Sequence, residues 1–170
     1  MPHGRTNNDD GPVDLIGVVD TMFASVNMGD IAEERLAARP DYRVRFEVRR
    51  RTVPGFKDLA VAAKQLIDHD GCRIVIACGM PGPGALDAAC AHEAATGIML
   101  AQMLTSTHVL EVFVHMSEAA DDSDLELLCK NRVGDHADNA YNLLYAPEEL
   151  RRRAGMGVRQ GGADRGPVGS

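Results

Sequence analysis

Apolar and polar positions along the chain follow two patterns in turn: short unbroken apolar runs, and longer stretches of helical period. The run Leu15-Ile16-Gly17-Val18-Val19 has the continuity expected of a strand covered on both faces. Residues 30–39 then read as a helix, opened by Asp30 as N-cap and stopped by Pro40. Tyr42, Val44, Phe46 and Val48 alternate with Arg43, Arg45, Glu47 and Arg49, a period of two that predicts a strand with one wetter face, suited to a sheet edge. Residues 56–69 carry apolar side chains at 56, 59, 60, 63, 66 and 67, the spacing of an amphipathic helix, which Gly71 ends. A third strand is expected over 72–78, a long and largely buried helix over 86–104, and a fourth strand over 109–114. Asp121-Asp122-Ser123 supplies capping chemistry for a helix over 124–144, and Pro147-Glu148-Glu149 opens a last short one.

Strands alternating with helices predict an α/β fold: a three-layer α/β/α sandwich of the flavodoxin-like kind, built on a four-stranded parallel sheet with right-handed crossovers. Ligands of such sheets sit beyond the carboxyl ends of the strands, so loops 20–29, 52–58, 79–87 and 115–122 form the candidate site. Residues 1–12 and 155–170 are rich in Gly, Pro, Asn, Asp and Arg and lack a period. They read as a flexible N-terminal tail and a C-terminal arm around one domain at 13–154. A sheet of four strands leaves its edges poorly covered, which points to a homo-oligomer with pockets between subunits.

Composition removes several classes of function. Against 18 Lys and Arg stand 25 Asp and Glu, a net charge of −7, which is the wrong field for a general nucleic-acid binder. No apolar run approaches the roughly 20 residues of a membrane span, and the first twelve residues lack the apolar stretch of a secretory signal, so a cytoplasmic location is expected. Cys72, Cys78, Cys90 and Cys129 show neither C-x-x-C nor zinc-ribbon spacing and read as reduced, small buried hydrophobes. Aromatic residues make up only 4% of the chain, with no Trp, so each one near a loop matters more.

The candidate chemistry lies in those loops. Thr21 and Phe23 place a hydroxyl and an aromatic ring beyond a buried strand; Phe23 either stacks on a flat heterocycle or covers the end of the core. In Val53-Pro54-Gly55-Phe56-Lys57-Asp58 a strand gives way to a helix whose first backbone N–H groups lack intrahelical partners and can hold a ligand oxygen. Asp58 suits the helix dipole in any case, and Lys57 also reads as a solvated charge. The loop GMPGPG at 79–84 matches neither G-x-G-x-x-G nor G-x-x-x-x-G-K-[ST], so a dinucleotide or triphosphate is not expected. Its backbone at Gly79, Met80 and Pro81 suits the hydrogen-bonding edge of a pyrimidine-like ring. His92 beside Glu93, and His115 after the fourth strand, are candidate acid–base groups near neutral pH, with a structural role as the alternative for each histidine. Metal ligands stay unassigned, because no Asp, Glu and His spacing forms a metal site by itself.

Five segments in order resemble the archaeal-type riboflavin synthases, which are related to lumazine synthase: VVDTMFASVNM, RRTVPGFKDLAVAAKQL, VIACGMPGPG, CAHEAATGIMLAQMLTSTHVLEVFVHMSEA and GMGVRQGGADRGP, within residues 13–167. The resemblance implies a cytoplasmic homopentamer with active sites between neighbours, and a transferase of riboflavin biosynthesis. In that reaction two molecules of 6,7-dimethyl-8-ribityllumazine exchange a four-carbon unit, giving riboflavin and 5-amino-6-ribitylamino-2,4-pyrimidinedione. It implies no organic cofactor and a divalent cation, magnesium. By the same resemblance Phe23 stacks on a ring, residues 54–58 hold ribityl hydroxyls, Gly79, Met80 and Pro81 face the pyrimidine edge, Phe113 is the aromatic lent by a neighbouring subunit with His115 close by, and the segment Arg159-Gln160-Gly161 folds over a neighbour's pocket, a disordered tail being the alternative.

Two alternatives stand beside this reading. A 6,7-dimethyl-8-ribityllumazine synthase is disfavoured because the His of its G-x-T-x-H loop is absent from Gly79-Met80-Pro81-Gly82-Pro83, and because residues 130–136 carry acid where that family is basic. A non-catalytic flavin-binding assembly would keep Phe23 and the glycine-rich loop but need no proton carrier.

Overall fold

Strand β1 (Asp14–Thr21) is buried through its last six residues because it runs between two neighbours, β2 (Phe46–Val53) and β3 (Cys72–Gly79). Strand β4 (Val109–Phe113) lies outside β3, and every pairing is parallel, giving the order β2-β1-β3-β4. The computed structural model describes residues 12–169, so the tail expected over 1–12 lies almost wholly outside the described residues. Helices α1 (Met28–Ala37) and α4 (Asp122–Tyr145) cover one face of the sheet, where Ile16, Val18, Phe46, Ile74, Ile76, Val112 and Val133 form a core. Helices α2 (Phe56–Asp68) and α3 (Ala85–Thr105) cover the other, over Val19, Val75, Ala77, Val109 and Phe113. A short helix α5 (Pro147–Arg153) follows α4. The expected three-layer sandwich is therefore present, with β2 at an edge.

Three local expectations are corrected. The edge strand begins at Phe46, not Tyr42: Arg43 adopts a left-handed φ of 62° and Asp41 accepts from the Val44 and Arg45 N–H groups, so residues 42–45 form a turn. Helix α1 begins two residues before Asp30, because Asn27 Oδ1 accepts the Asp30 N–H at 3.1 Å and acts as the cap. Helix α3 is not largely buried. It turns Ala91, Ala94, Ile98 and Ala101 inward but leaves Leu86, Met99, Leu100, Met103 and Leu104 exposed, since one chain has nothing to lay over that stripe. The cysteine expectation holds for Cys72, Cys78 and Cys129, which are buried, with Cys90 half-buried. Burial pushes the Cys72 and Cys129 thiols up to about 11, away from thiolate chemistry.

At the carboxyl end of β1 the core becomes ionic. Asp20 is buried, and Arg50 of β2 donates to it at 2.6 and 3.2 Å, while Thr52 Oγ1 donates at 2.8 Å. The same guanidinium reaches Asp30 at 2.5 Å, Glu33 at 3.0 Å and Asn27 at 2.7 Å, tying β1, β2 and the first turn of α1 to one group. Gly29 lies against that guanidinium, 2.3 Å from where a Cβ would stand, so only glycine fits there. Removing one member of a buried pair strands its partner. Asp20→Ala should therefore lower unfolding free energy by about 3 kcal/mol, read as a shifted urea midpoint at unchanged slope.

Candidate active site

The parallel register brings the ends of the strands together: Thr21 pairs with Val53, and Gly79 with Phe113. Alternation along each strand decides which face a side chain takes. Asp20 follows Ile16 and Val18 toward α1 and α4, whereas Thr21 follows Val19 toward α2 and α3. That second face carries the aromatic residues.

Phe56, in the first turn of α2, packs against Phe113 with ring centroids 5.7 Å apart, and Phe23 stands edge-on to Phe56 at 6.5 Å. Phe56 and Phe113 are buried, but Phe23 is 64% exposed, so of its two readings the cover over the core is the weaker. An apolar ring so exposed beside two others offers a flat face to a ligand or a neighbouring chain. Phe113 is already used by its own chain, packed on Phe56 over Gly79.

The loop backbones are held with little slack. The Met22 N–H donates to the Val53 carbonyl at 2.9 Å, fixing the first loop to the end of β2. Asp58 Oδ2 accepts the Gly55 N–H at 3.3 Å, closing the start of α2. Pro54 at the crest of this turn is exposed. Gly79 and Pro81 give their carbonyls to the N–H groups of Val114 and Met116 at 3.0 and 2.9 Å. Met80 is buried whole, with its side chain in the α1/α4 core, and Gly79, Pro81 and Gly82 are buried beside it. Thr21 is the exception to this satisfaction: its hydroxyl is buried on the aromatic side and has no hydrogen-bond partner among the described residues. Such groups are costly unless something completes them.

The acid–base candidates separate. Glu93 forms an exposed ion pair with Lys57 at 2.5 Å, and the ammonium holds its carboxyl below the usual carboxylate range. This occupies both Lys57 and Glu93, and leaves Glu93 a poor proton carrier. His92 is exposed one residue earlier, and His115 is half-buried beyond β4. The His115 N–H donates to Glu118 at 2.9 Å, and Arg132 of α4 clamps Glu118 through both carboxylate oxygens at 2.8 and 2.7 Å while donating to the Phe113 carbonyl at 2.9 Å. Arg132 is missed by sequence reasoning, which treated residues 130–136 only as a run of mixed charge. Its cation is spent on Glu118 rather than offered to a ligand. Glu111 is also missed, although a lone acid inside Val109-Leu110-Glu111-Val112-Phe113 breaks an otherwise apolar strand.

The C-terminal arm, where described, is a closed loop. Arg165 N–H donates to the Gly157 carbonyl at 2.9 Å, Arg159 N–H to Asp164 at 2.9 Å, and Gly161 N–H to Asp135 of α4 at 3.1 Å. It rests on its own chain beside Arg132, the side chain a Cβ on Gly161 would strike. Among the described residues no group of three or more His, Cys, Asp and Glu side chains converges as a cation site. No helix among the described residues is long and apolar enough to cross a membrane.

The model of the 6,7-dimethyl-8-ribityllumazine synthase family matches residues 15–148. A riboflavin synthase of Methanothermobacter marburgensis is 48% identical over 153 residues, covering 90% of this chain and 98% of the relative. Riboflavin synthases of Archaeoglobus fulgidus and Aeropyrum pernix are each 41% identical, over 153 and 155 residues, covering 90% of this chain and 97% of each relative.

The contact at Gly79 can be tested directly. A Cβ there would lie 2.8 Å from the Phe113 ring and 3.0 Å from that of Phe56. Gly79→Ala should cost about 1–3 kcal/mol by overpacking, with a changed near-ultraviolet aromatic signal in circular dichroism; a stability equal to wild type would mean the rings give way freely.

Proposed function

From its membership of the 6,7-dimethyl-8-ribityllumazine synthase family, to which this chain belongs, we infer that it catalyses the riboflavin synthase reaction. Two molecules of 6,7-dimethyl-8-ribityllumazine enter; one gives up a four-carbon unit, the other receives it, and riboflavin leaves with 5-amino-6-ribitylamino-2,4-pyrimidinedione. The observation that carries this reading is nine-tenths coverage of the chain at 41–48% identity to riboflavin synthases. The site supports it through an exposed ring at Phe23 and an unpartnered hydroxyl at Thr21, above the Phe56 and Phe113 rings packed over Gly79.

The demands of the chemistry are modest and match what the chain supplies. The lumazine methyl group is activated by its own ring, so the protein has to hold two heterocycles face to face and move protons. Phe23 stacks on a ring, and the turn from Val53 to Asp58 holds ribityl hydroxyls. His92 and His115 move protons. The substrates carry no phosphate, and the engagement of Arg132 by Glu118 suits that. The same engagement, and the absence of a histidine between Gly79 and Ala91, weigh against formation of lumazine as the activity.

The assembly is a homopentamer in the cytoplasm, with each site completed by a neighbour. Its support is the apolar stripe Leu86, Met99, Leu100, Met103 and Leu104 on α3, together with the open side of the site at Phe23. Phe113 enters this proposal as a floor residue of its own chain rather than as the aromatic lent across the interface.

Purified protein incubated with 6,7-dimethyl-8-ribityllumazine should form riboflavin and the aminopyrimidinedione in equal amounts, followed by absorbance and chromatography; tight binding without turnover would favour a storage assembly instead. A chelator arm reads any need for magnesium, as loss of turnover restored by the added ion. In the same assay Phe23→Ala should weaken substrate binding by about 1–3 kcal/mol through lost ring burial, and an unchanged KM would remove the stacking role.

A further inference from the structure

Glu111 is the one charged residue in β4, and it stands on the open edge of the sheet. Its register partner on β3 is Ala77, and its neighbours at 109 and 113 both point into the α2/α3 core, so its side chain shares their face. Val114 turns to the opposite core, which returns His115 to the Glu111 side. From the helix packed on that face, His92 follows directly on the inward Ala91. One carboxylate and two imidazoles from three places in the sequence thus share the sheet face of Phe113, at the wall of the proposed lumazine site.

No ion pair or hydrogen bond satisfies Glu111 among the described residues, in a chain where Asp20, Asp70, Glu93, Glu118 and Asp138 all have cationic partners. Its side chain is exposed along one flank and lies against the protein along the other. That packing pushes its carboxyl above the usual range, while His115 and His92 pull it back, so both imidazoles act on it electrostatically. Glu93, the next residue along α3, is held by Lys57 of α2, and Ala77 on β3 carries no ionisable group. A carboxylate so placed has no structural partner to serve, and a basicity raised above that of an ordinary carboxylate suits it to removing a proton.

We propose that Glu111 is a catalytic base of the riboflavin synthase reaction, taking a proton from the activated methyl group of a bound lumazine and exchanging it with His92 and His115. The methyl C–H bond breaks, its electron pair passes into the lumazine ring system as the conjugate anion, and the proton forms the O–H bond of the Glu111 carboxyl. From there an imidazole nitrogen takes it on, which restores the carboxylate for the next turnover. No oxidant or reductant enters.

This assignment rests on the riboflavin synthase reading, and the test separates the two. Three quantities are measured for wild type, Glu111→Gln and Glu111→Asp. They are the Kd for 6,7-dimethyl-8-ribityllumazine from its fluorescence, the exchange of its methyl hydrogens in heavy water by NMR, and the rate of riboflavin formation. Glu111→Gln, nearly isosteric at a solvent-open position, should bind within about twofold of wild type while exchange and turnover both fall on the order of 10²-fold. Glu111→Asp should recover part of both rates. Exchange at the wild-type rate in Glu111→Gln would overturn the role, as would a loss of binding as large as the loss of turnover. A wild type that forms no riboflavin would instead overturn the reaction itself, and this proposal with it.

Discussion

At the end of β3, the rings of Phe56 and Phe113 occupy the space that a side chain on Gly79 would need. Three elements meet there: the last residue of a central strand, the first turn of α2 and the last residue of the edge strand. Because β3 and β4 pair in parallel with Gly79 opposite Phe113, the close approach also fixes the height at which β4 stops. The placement of His115 beyond the strand follows from that height. A larger residue at 79 would therefore displace both the floor of the site and its flank.

Much of the fold was legible because buried parallel strands and amphipathic helices leave different periods in a sequence. Leu15-Ile16-Gly17-Val18-Val19 and the apolar spacing of residues 56–67 predicted their elements almost to the residue. The alternation from Tyr42 to Val48 misled at its start because Tyr42 and Phe46 face the same aromatic cluster across a turn, which from spacing alone looks like one strand. In α3 the sequence shows that most positions are apolar but not how many faces its own chain covers.

The site was legible where loops carry chemistry and illegible where strands do. Thr21, Phe23, Phe56 and Gly79 were found because they lie at strand ends, and the register does bring them together. Glu111, proposed as a base, and Arg132 escaped because each lies inside a regular element. The sense of Arg132 depends on a partner fourteen residues away, Glu118, and on a backbone carbonyl. Glu93 was singled out for its neighbour His92, yet in space its partner is Lys57. Adjacency in sequence along a helix points successive side chains in different directions, so it is a poor guide to which groups share a proton.

The stripe of Leu and Met on α3 gives the folded chain a property that no contact within it reveals. In the proposed assembly another copy covers that surface, which makes the stability of each chain depend on how many others are present. Dilution then acts as a denaturant. Newly made chains at low abundance face a race between self-encounter and capture by chaperones or proteases, and the exposed thioethers of Met99 and Met103 are meanwhile open to oxidation to sulfoxide, which would turn the same stripe polar.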